Sequence, residues 1–306
     1  MLIPSAQVLS RITIDQAISA VEQAIARLSA GHIGTPVSLG MTVANGTFHV
    51  KACASAAPDR ANLFVAKVNA NFPGNPGAGR PTIQGLIAVF DTRNGDVRAI
   101  VDSPSITGLR TAATTGVVIR FLAPHKARVA TVVGCGALGR FHLEALNACG
   151  INRVFVFDTA PARANSAAAW AREALGMECE AVDDFRRAAL QSQVIVTCTP
   201  SQRAFLGRDD VRPGTLIAAV GADNENKSEI APALLDAARM VTDLTDQCLK
   251  NGDLRNAPLK AVCGELTDVV AGRVARTQAD EIVIFDSTGL AVQDLALCEL
   301  LVLSAA

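Results

Sequence analysis

The sequence predicts an α/β protein in which a doubly wound parallel sheet follows a smaller N-terminal α+β region. Three observations carry this. Residues 36 to 102 form short strand-like runs punctuated by Asn45-Gly46 and Asn94-Gly95, the texture of antiparallel hairpins. Beyond residue 127, apolar strands alternate with helix-length stretches, which specifies a parallel sheet. Between the first such strand and its helix, VATVVGCGALGRFHLEAL places G-x-G-x-x-G.

The elements follow in order. TIDQ (13–16) has capping-box form, and Ile14, Ile18, Val21, Ile25 and Leu28 recur at helical spacing until Gly31, so the chain opens on an amphipathic helix. VSLGMTV, FHVKACA, LFVAKVN, TIQGLIAVF and VRAIVD then read as strands. SPSITGLRTAATTGVVIRFLA (103–123) reads as a connecting helix entered through Pro104 and closed by Pro124. ARVATVVG, helix 137–149, RVFVFD, helix 161–175, a strand near 178–182, QVIVTCT, TLIAAVG, helix 231–237, RMVTD and EIVIFD complete the alternation. The last helix, from Gly289 to about Leu303, is so apolar (LAVQDLALCELLVL) that it needs cover, either from the N-terminal sheet or from a second subunit.

Bulk properties narrow the function. The 306 residues are half apolar, enough for one large or two ordinary domains. With 28 basic against 29 acidic side chains there is no electrostatic footprint for nucleic acid or an anionic membrane, which leaves small molecules as the expected partners. The eight cysteines include no CxxC pair and no Cys/His cluster at ligand spacing, so no metal site is expected and a reducing, cytoplasmic setting fits. The opening residues lack the pattern of a signal peptide, and no apolar run approaches the roughly 20 residues that span a bilayer.

One residue is out of place. Lys67 interrupts the apolar run LFVAKVNANFPGN, and burying an unpaired ammonium costs several kcal/mol. Either it points to water, the ordinary reading, or the fold gives it an anionic partner.

The glycine-rich turn is the strongest local signal. Gly134 permits the tight turn, Gly136 lets a pyrophosphate approach the backbone, and Gly139 lets helix and strand pack closely; with Ala137 and Leu138 they form the expected cofactor cradle at a helix N-terminus. Asp158 closes RVFVFD about 20 residues later, where a carboxylate accepts both ribose hydroxyls of an adenosine and repels a 2′-phosphate. NAD(H) is therefore favoured, while Arg163 keeps NADP(H) open. As an ordinary helix cap in D-x-A-P, Asp158 is compatible with that role. Lys67, Arg110 in ITGLRTAAT, Asp223 in AVGADNENKSEI and Ser287 in IFDSTG are candidates to face a bound nicotinamide; taken singly, each also reads as a solvated, turn or capping residue. Asp223 and Ser287 follow parallel strands, where open α/β sheets bind ligands.

FVAKVNANFPGN, PTIQGLIAVFD, SITGLRTAA, VVGCGALG, AVGADNENKSEI and IFDSTGLAVQDLA, in this order and spacing, resemble the ornithine cyclodeaminase/mu-crystallin family over nearly the whole chain. The resemblance implies a substrate-binding and dimerisation domain (1–120, completed by helix 289–306) joined to a Rossmann domain (121–288), and a homodimer. It implies that Lys67 and Arg110 hold a substrate carboxylate and that Asp223 handles the proton or water at the amine carbon. It further implies that Thr82, Thr111, Thr199, Val220, Lys227 and Ser287 contact cofactor or substrate, with Arg110 also near the cofactor.

Two departures stand out. Cyclodeaminases of the family carry an arginine where this chain has Val37, and a glutamate where His49 stands, with Lys51 two residues on and on the same strand face. Lys51 is a replacement cation in this reading, and His49 a hydrogen-bond donor; the ordinary reading of His49 is a strand residue beside an Asn-Gly turn. The expected activity is NAD(P)H-dependent reduction of a cyclic 2-imino acid, Δ1-pyrroline-2-carboxylate or Δ1-piperideine-2-carboxylate, to L-proline or L-pipecolate, and the pattern is similar to family members assigned as Δ1-pyrroline-2-carboxylate reductases. The alternatives are ornithine cyclodeamination, turnover of linear imino acids as in alanine dehydrogenase-like members, and non-catalytic cofactor and ligand binding in the style of mu-crystallin.

Overall fold

A computed structural model describes residues 1–55, 62–258 and 261–303. They divide into two compact units, Met1–Arg110 with Leu290 onward (unit 1) and Thr111–Gly289 (unit 2). The division falls inside the connecting helix, ten residues before the expected boundary at 120; the first turns of that helix are tied to unit 1 by hydrogen bonds from Ser103 to Asn69 and from Arg110 to Gln293. Residues 304–306 of the expected C-terminal completion lie outside the described residues.

Unit 1 begins with β1 (Leu2–Ile3) and α1 (Ser5–Arg11), both too short to stand out in the sequence, then α2 (Ile14–Ser29). The α2 capping box is present: Thr13 accepts from the Gln16 amide, and Gln16 accepts from that of Thr13. Strands β2 (Val37–Val43), β3 (Gly46–Ala54), β4 (Leu63–Asn71), β5 (Ile83–Asp91) and β6 (Val97–Asp102) form the expected antiparallel meander, and β1 adds a parallel pair to β6. α3 (Ser103–Leu122) carries the chain into unit 2.

Unit 2 is an all-parallel sheet in the order β13-β12-β14-β11-β10-β7-β8-β9. β7 (Val129–Val133), α4 (Ala137–Ala148), β8 (Arg153–Phe157), α5 (Pro161–Leu175) and β9 (Glu178–Ala181) wind in one direction. α6 (Phe185–Ala189), β10 (Val194–Thr197), β11 (Leu216–Ala219), α7 (Pro232–Ala237), β12 (Arg239–Thr242), α8 (Thr245–Asn251), β13 (Val262–Glu265), α9 (Leu266–Val270) and β14 (Val283–Asp286) build the other side. The reversal between β7 and β10 is the switch point at which doubly wound sheets bind ligands. The central strands are buried on both faces, which is why they read as unbroken apolar runs. β13, α6, α8 and α9 are short elements with no periodic signal of their own.

α10 (Ala291–Leu303) returns the chain to unit 1 and packs on α2, β3 and β4, so the covering partner of this apolar helix is its own sheet. Among the described residues only one sheet face is covered. On the other, Leu39, Met41, Phe48, Val68, Leu86, Ile100 and Leu2 are exposed. The pairing aligns them in rows across the strands: Leu39 opposes Val50, Val50 opposes Val68, and Val68 opposes Leu86. No described helix is long and apolar enough to cross a membrane.

Candidate active site

In unit 1 the covered sheet face carries the chemistry. Lys67 is 3% exposed, which excludes the outward-pointing reading. Its anionic partner is Asp294 of α10, fully buried, whose two oxygens lie 2.8 and 2.7 Å from the ammonium. The substrate carboxylate anticipated from the sequence is thus not the first counter-charge of Lys67. Arg110, at the unit 1 end of its helix, approaches the same carboxylate, with Nε 3.7 Å from Oδ1, and donates through Nη1 to Gln293 Oε1 at 2.8 Å. The adjacent pair Gln293-Asp294 therefore holds both cations. Burial draws the pKa of Lys67 down to about 7; Asp294 opposes that shift, while Arg110 and Lys51 add to it.

Lys51 opposes Lys67 directly in the β3–β4 register, and His49 opposes Asn69, so all four share the covered face. His49 Nε2 is 3.2 Å from the Thr47 hydroxyl, and the Ser103 hydroxyl donates to Asn69. Thr82 sits just before β5, its carbonyl accepting from the Phe72 amide. Val37 requires a correction. It lies on the opposite, outward face and is 62% exposed, whereas Ser38 is the residue paired with Lys51. A one-residue offset along a strand reverses the face, so Val37 is not the position from which a pocket cation is missing.

In unit 2 the three glycines do different steric work. Gly134 has φ +109, and a Cβ there would lie 2.8 Å from the Cys198 carbonyl oxygen; one on Gly139 would lie 2.3 Å from the Gly134 carbonyl oxygen. A Cβ on Gly136 meets nothing within 4 Å, leaving open space at the N-cap of α4. Those features fit a pyrophosphate on the helix N-terminus, over Ala137 and Leu138. Asp158 accepts from the amides of Cys135 and Ala160, each at 2.9 Å, which ties the carboxylate to the glycine turn and to the approach of α5.

The loops at the strand ends are pinned by buried carboxylates absent from the sequence-derived candidates. Glu229 accepts from the Thr197 hydroxyl, the Thr199 amide and hydroxyl, and the Gly221 amide, all at 2.7 to 2.9 Å. Burial raises its pKa to about 7. The Thr199 hydroxyl proton is thereby committed to Glu229, and the Ser287 hydroxyl donates to Asp243 at 2.9 Å. Val220 is buried just after β11. Asp223 is exposed and forms a 2.8 Å ion pair with Lys227. Thr111 is buried at the unit 2 end of the division.

Lys67, Lys51, His49 and Arg110 thus belong to one unit, and the glycine turn, Asp158, Thr199, Val220, Asp223, Lys227 and Ser287 to the other. Besides Glu229 and Asp243, sequence reasoning missed Asp294. Its signal was of the same kind as that of Lys67, a charge in a largely apolar element, which α10 repeats at Glu299.

Comparison with known proteins places these features in context. The sequence model of the ornithine cyclodeaminase/mu-crystallin family matches residues 1–304. The iminosuccinate reductase of Paracoccus denitrificans is 35% identical over 225 residues, covering 72% of this chain and 70% of that protein. The Δ1-pyrroline-2-carboxylate reductase of the same organism is 31% identical over 242 residues, 76% of each chain. The solved archaeal alanine dehydrogenase dimer with bound NAD is 28% identical, with a TM-score of 0.93 over 100% of this chain and 95% of that one.

Proposed function

This chain belongs to the ornithine cyclodeaminase/mu-crystallin family, and from that premise we propose that it is an NAD(H)-dependent reductase of cyclic 2-imino acids. Its substrate in this reading is Δ1-pyrroline-2-carboxylate or Δ1-piperideine-2-carboxylate, its product L-proline or L-pipecolate.

The observation that carries the proposal is a buried lysine and a buried arginine tied to the same buried aspartate. The formal charges of Lys67, Arg110 and Asp294 sum to +1, and a substrate carboxylate brings the cluster to neutrality. Arg110 offers a planar fork for that carboxylate, and Lys67 a point charge. NADH, when bound, supplies the hydride; the carbon–nitrogen double bond also takes up one proton. Asp223 is the acid assigned to the imine nitrogen, where its negative charge favours the protonated, electrophilic imine. The open space above Gly136 and the tethered carboxylate of Asp158 support NAD(H) as the dinucleotide. Relatives that act on imino or amino acids, and the NAD bound in the archaeal neighbour, agree with this reading.

The protein is proposed to act as a homodimer through the uncovered face of the unit 1 sheet. Each large apolar side chain removed from water there contributes roughly 1.5–3 kcal/mol, and an apolar face this continuous marks an association surface. The neighbouring alanine dehydrogenase is itself a dimer.

The test follows nicotinamide absorbance with purified protein. Oxidation of NADH on addition of Δ1-pyrroline-2-carboxylate is the expected result. Proline and ammonia formed from L-ornithine with NAD, or turnover confined to a linear 2-imino acid, would overturn the substrate assignment. Dinucleotide binding without turnover of any of these would overturn the assignment as an enzyme.

A further inference from the structure

The C-terminal helix α10 enters the covered face of the unit 1 sheet with two adjacent polar side chains, Gln293 and Asp294, both fully buried, while its third, Glu299, pairs with Arg27. The Asp294 carboxylate and the Gln293 carbonyl oxygen are directed at the two cations. Asp294 meets the Lys67 ammonium with both oxygens and the Arg110 guanidinium with one. Gln293 turns its carbonyl oxygen to Arg110 Nη1 and to the Leu290 amide. A helix that needed only to cover a sheet has no use for a desolvated carboxylate, since a leucine would cover it without the cost of desolvation.

We propose that Asp294 is a positioning residue for the reaction: it keeps Lys67 cationic inside an apolar sheet and fixes the direction in which Lys67 and Arg110 present themselves to a substrate carboxylate. Without it, two cations would face each other in a buried space, and the lysine is the one that can shed its proton. The groups around Lys67 are Lys51 from β3, Arg110 from α3, and Asp294 and Cys298 from α10, while β5 presents the apolar Ile87; Cys53, on the same face of β3, opposes Val65 and senses Asp294. On α2, Arg27 is paired with Glu299 and donates to Ser55. Burial pushes the Cys298 and Cys53 thiols up, so neither supplies a negative charge near neutrality. Asp294 is then the anion on which the protonation of Lys67 depends.

The kinetic part of this inference rests on the imine reductase reading; the protonation part does not, and the experiment separates them. The six lysines make a ¹³C-labelled lysine titration by NMR tractable, with the Lys67 signal assigned by its loss in Lys67→Met. In wild-type protein Lys67 is expected to titrate near pH 7, and in Asp294→Asn at least about one unit lower, a tenfold loss of proton affinity. With Δ1-pyrroline-2-carboxylate at pH 7, Asp294→Asn is expected to raise KM at least tenfold while kcat changes less than threefold, and to move the basic limb of kcat/KM to lower pH. Asp294→Glu keeps the charge but displaces it by a methylene; it should hold the titration within half a unit of wild type yet raise KM at least threefold. An unchanged Lys67 titration in folded Asp294→Asn overturns the proposal. So does a wild-type KM in Asp294→Glu, the variant that stands if the asparagine protein does not fold. Should wild-type protein fail to reduce any imine while the lysine titration still responds to Asp294, the reaction assignment fails and the control of Lys67 survives.

Discussion

Replacing Gly136 and Gly139 separately by alanine should divide stability from cofactor binding, because the two residues stand in opposite steric situations. At Gly139 the new Cβ would lie 2.3 Å from the Gly134 carbonyl oxygen, some 0.7 Å inside the 3.0 Å that real contacts respect. The obstacle is backbone, so α4 must shift away from the turn. Overpacking of this kind costs roughly 1–3 kcal/mol, offset by about 1 kcal/mol of helix propensity gained by alanine. A net loss of up to roughly 2 kcal/mol lowers Tm by up to about 8 °C. At Gly136 the Cβ enters open space and φ is −74, so no strain arises. The weaker capping by alanine, about 0.5–1 kcal/mol, is balanced by a similar loss of unfolded-state freedom. Gly136→Ala should therefore melt within about 2 °C of wild type, yet lose at least tenfold in NADH affinity, about 1.4 kcal/mol, because the methyl group occupies the space through which a pyrophosphate reaches the amides. Thermal melting and NADH fluorescence titration on both variants make the comparison. A Gly136→Ala protein that binds NADH within twofold of wild type would refute this account of the turn.

Three further outcomes are expected. Asp158→Ser, which removes the negative charge tied to the Cys135 amide, should shift the NADPH-to-NADH affinity ratio at least about tenfold toward NADPH, measured by fluorescence titration with each; an unchanged ratio would remove Asp158 from nucleotide selection. Burial draws Lys67 down from 10.5 to about 7, so between about pH 7 and 8.5 the unfolded chain holds the extra proton and stability rises with pH, whereas above that range the buried cysteines, raised from 9.0, act in the opposite sense. Over the same window kcat/KM should fall as the cation is lost. Lys67→Met should abolish both slopes, and persistence of either would assign it to another group. Leu39→Glu or Val68→Glu, which places charge on the uncovered apolar face, is expected to yield monomers by size-exclusion chromatography with light scattering; dimers that persist would place the association surface elsewhere.

What the sequence revealed was local in origin. The three glycines announce themselves because one turn needs all three within six residues, and the capping box because its two hydrogen bonds span three residues. The meander strands were legible from their turns, but LFVAKVN is apolar on both faces, so alternation did not say which face would be covered. The reading of Val37 came from the family resemblance, and only the cross-strand register shows that Ser38, not Val37, stands beside Lys51. Asp294 escaped because its partner is 227 residues away and the helix around it reads as packing alone. Glu229 and Asp243 escaped for another reason: loops at strand ends leave amides that must be satisfied, and which carboxylate satisfies them is decided only once the loops are folded.

The separation between Lys67 and Asp294 has a bearing on biosynthesis. Strand β4 leaves the ribosome early, while its counter-charge arrives only after the whole of unit 2 has been translated. During that interval the ammonium has nothing to neutralise it, and the sheet lacks its cover. Unit 2 is contiguous and free to mature co-translationally, but unit 1 must wait, an order opposite to the usual N-to-C progression. A chain cut short before α10 would therefore lack both the cover of the Lys67 face and the carboxylate that pairs with it.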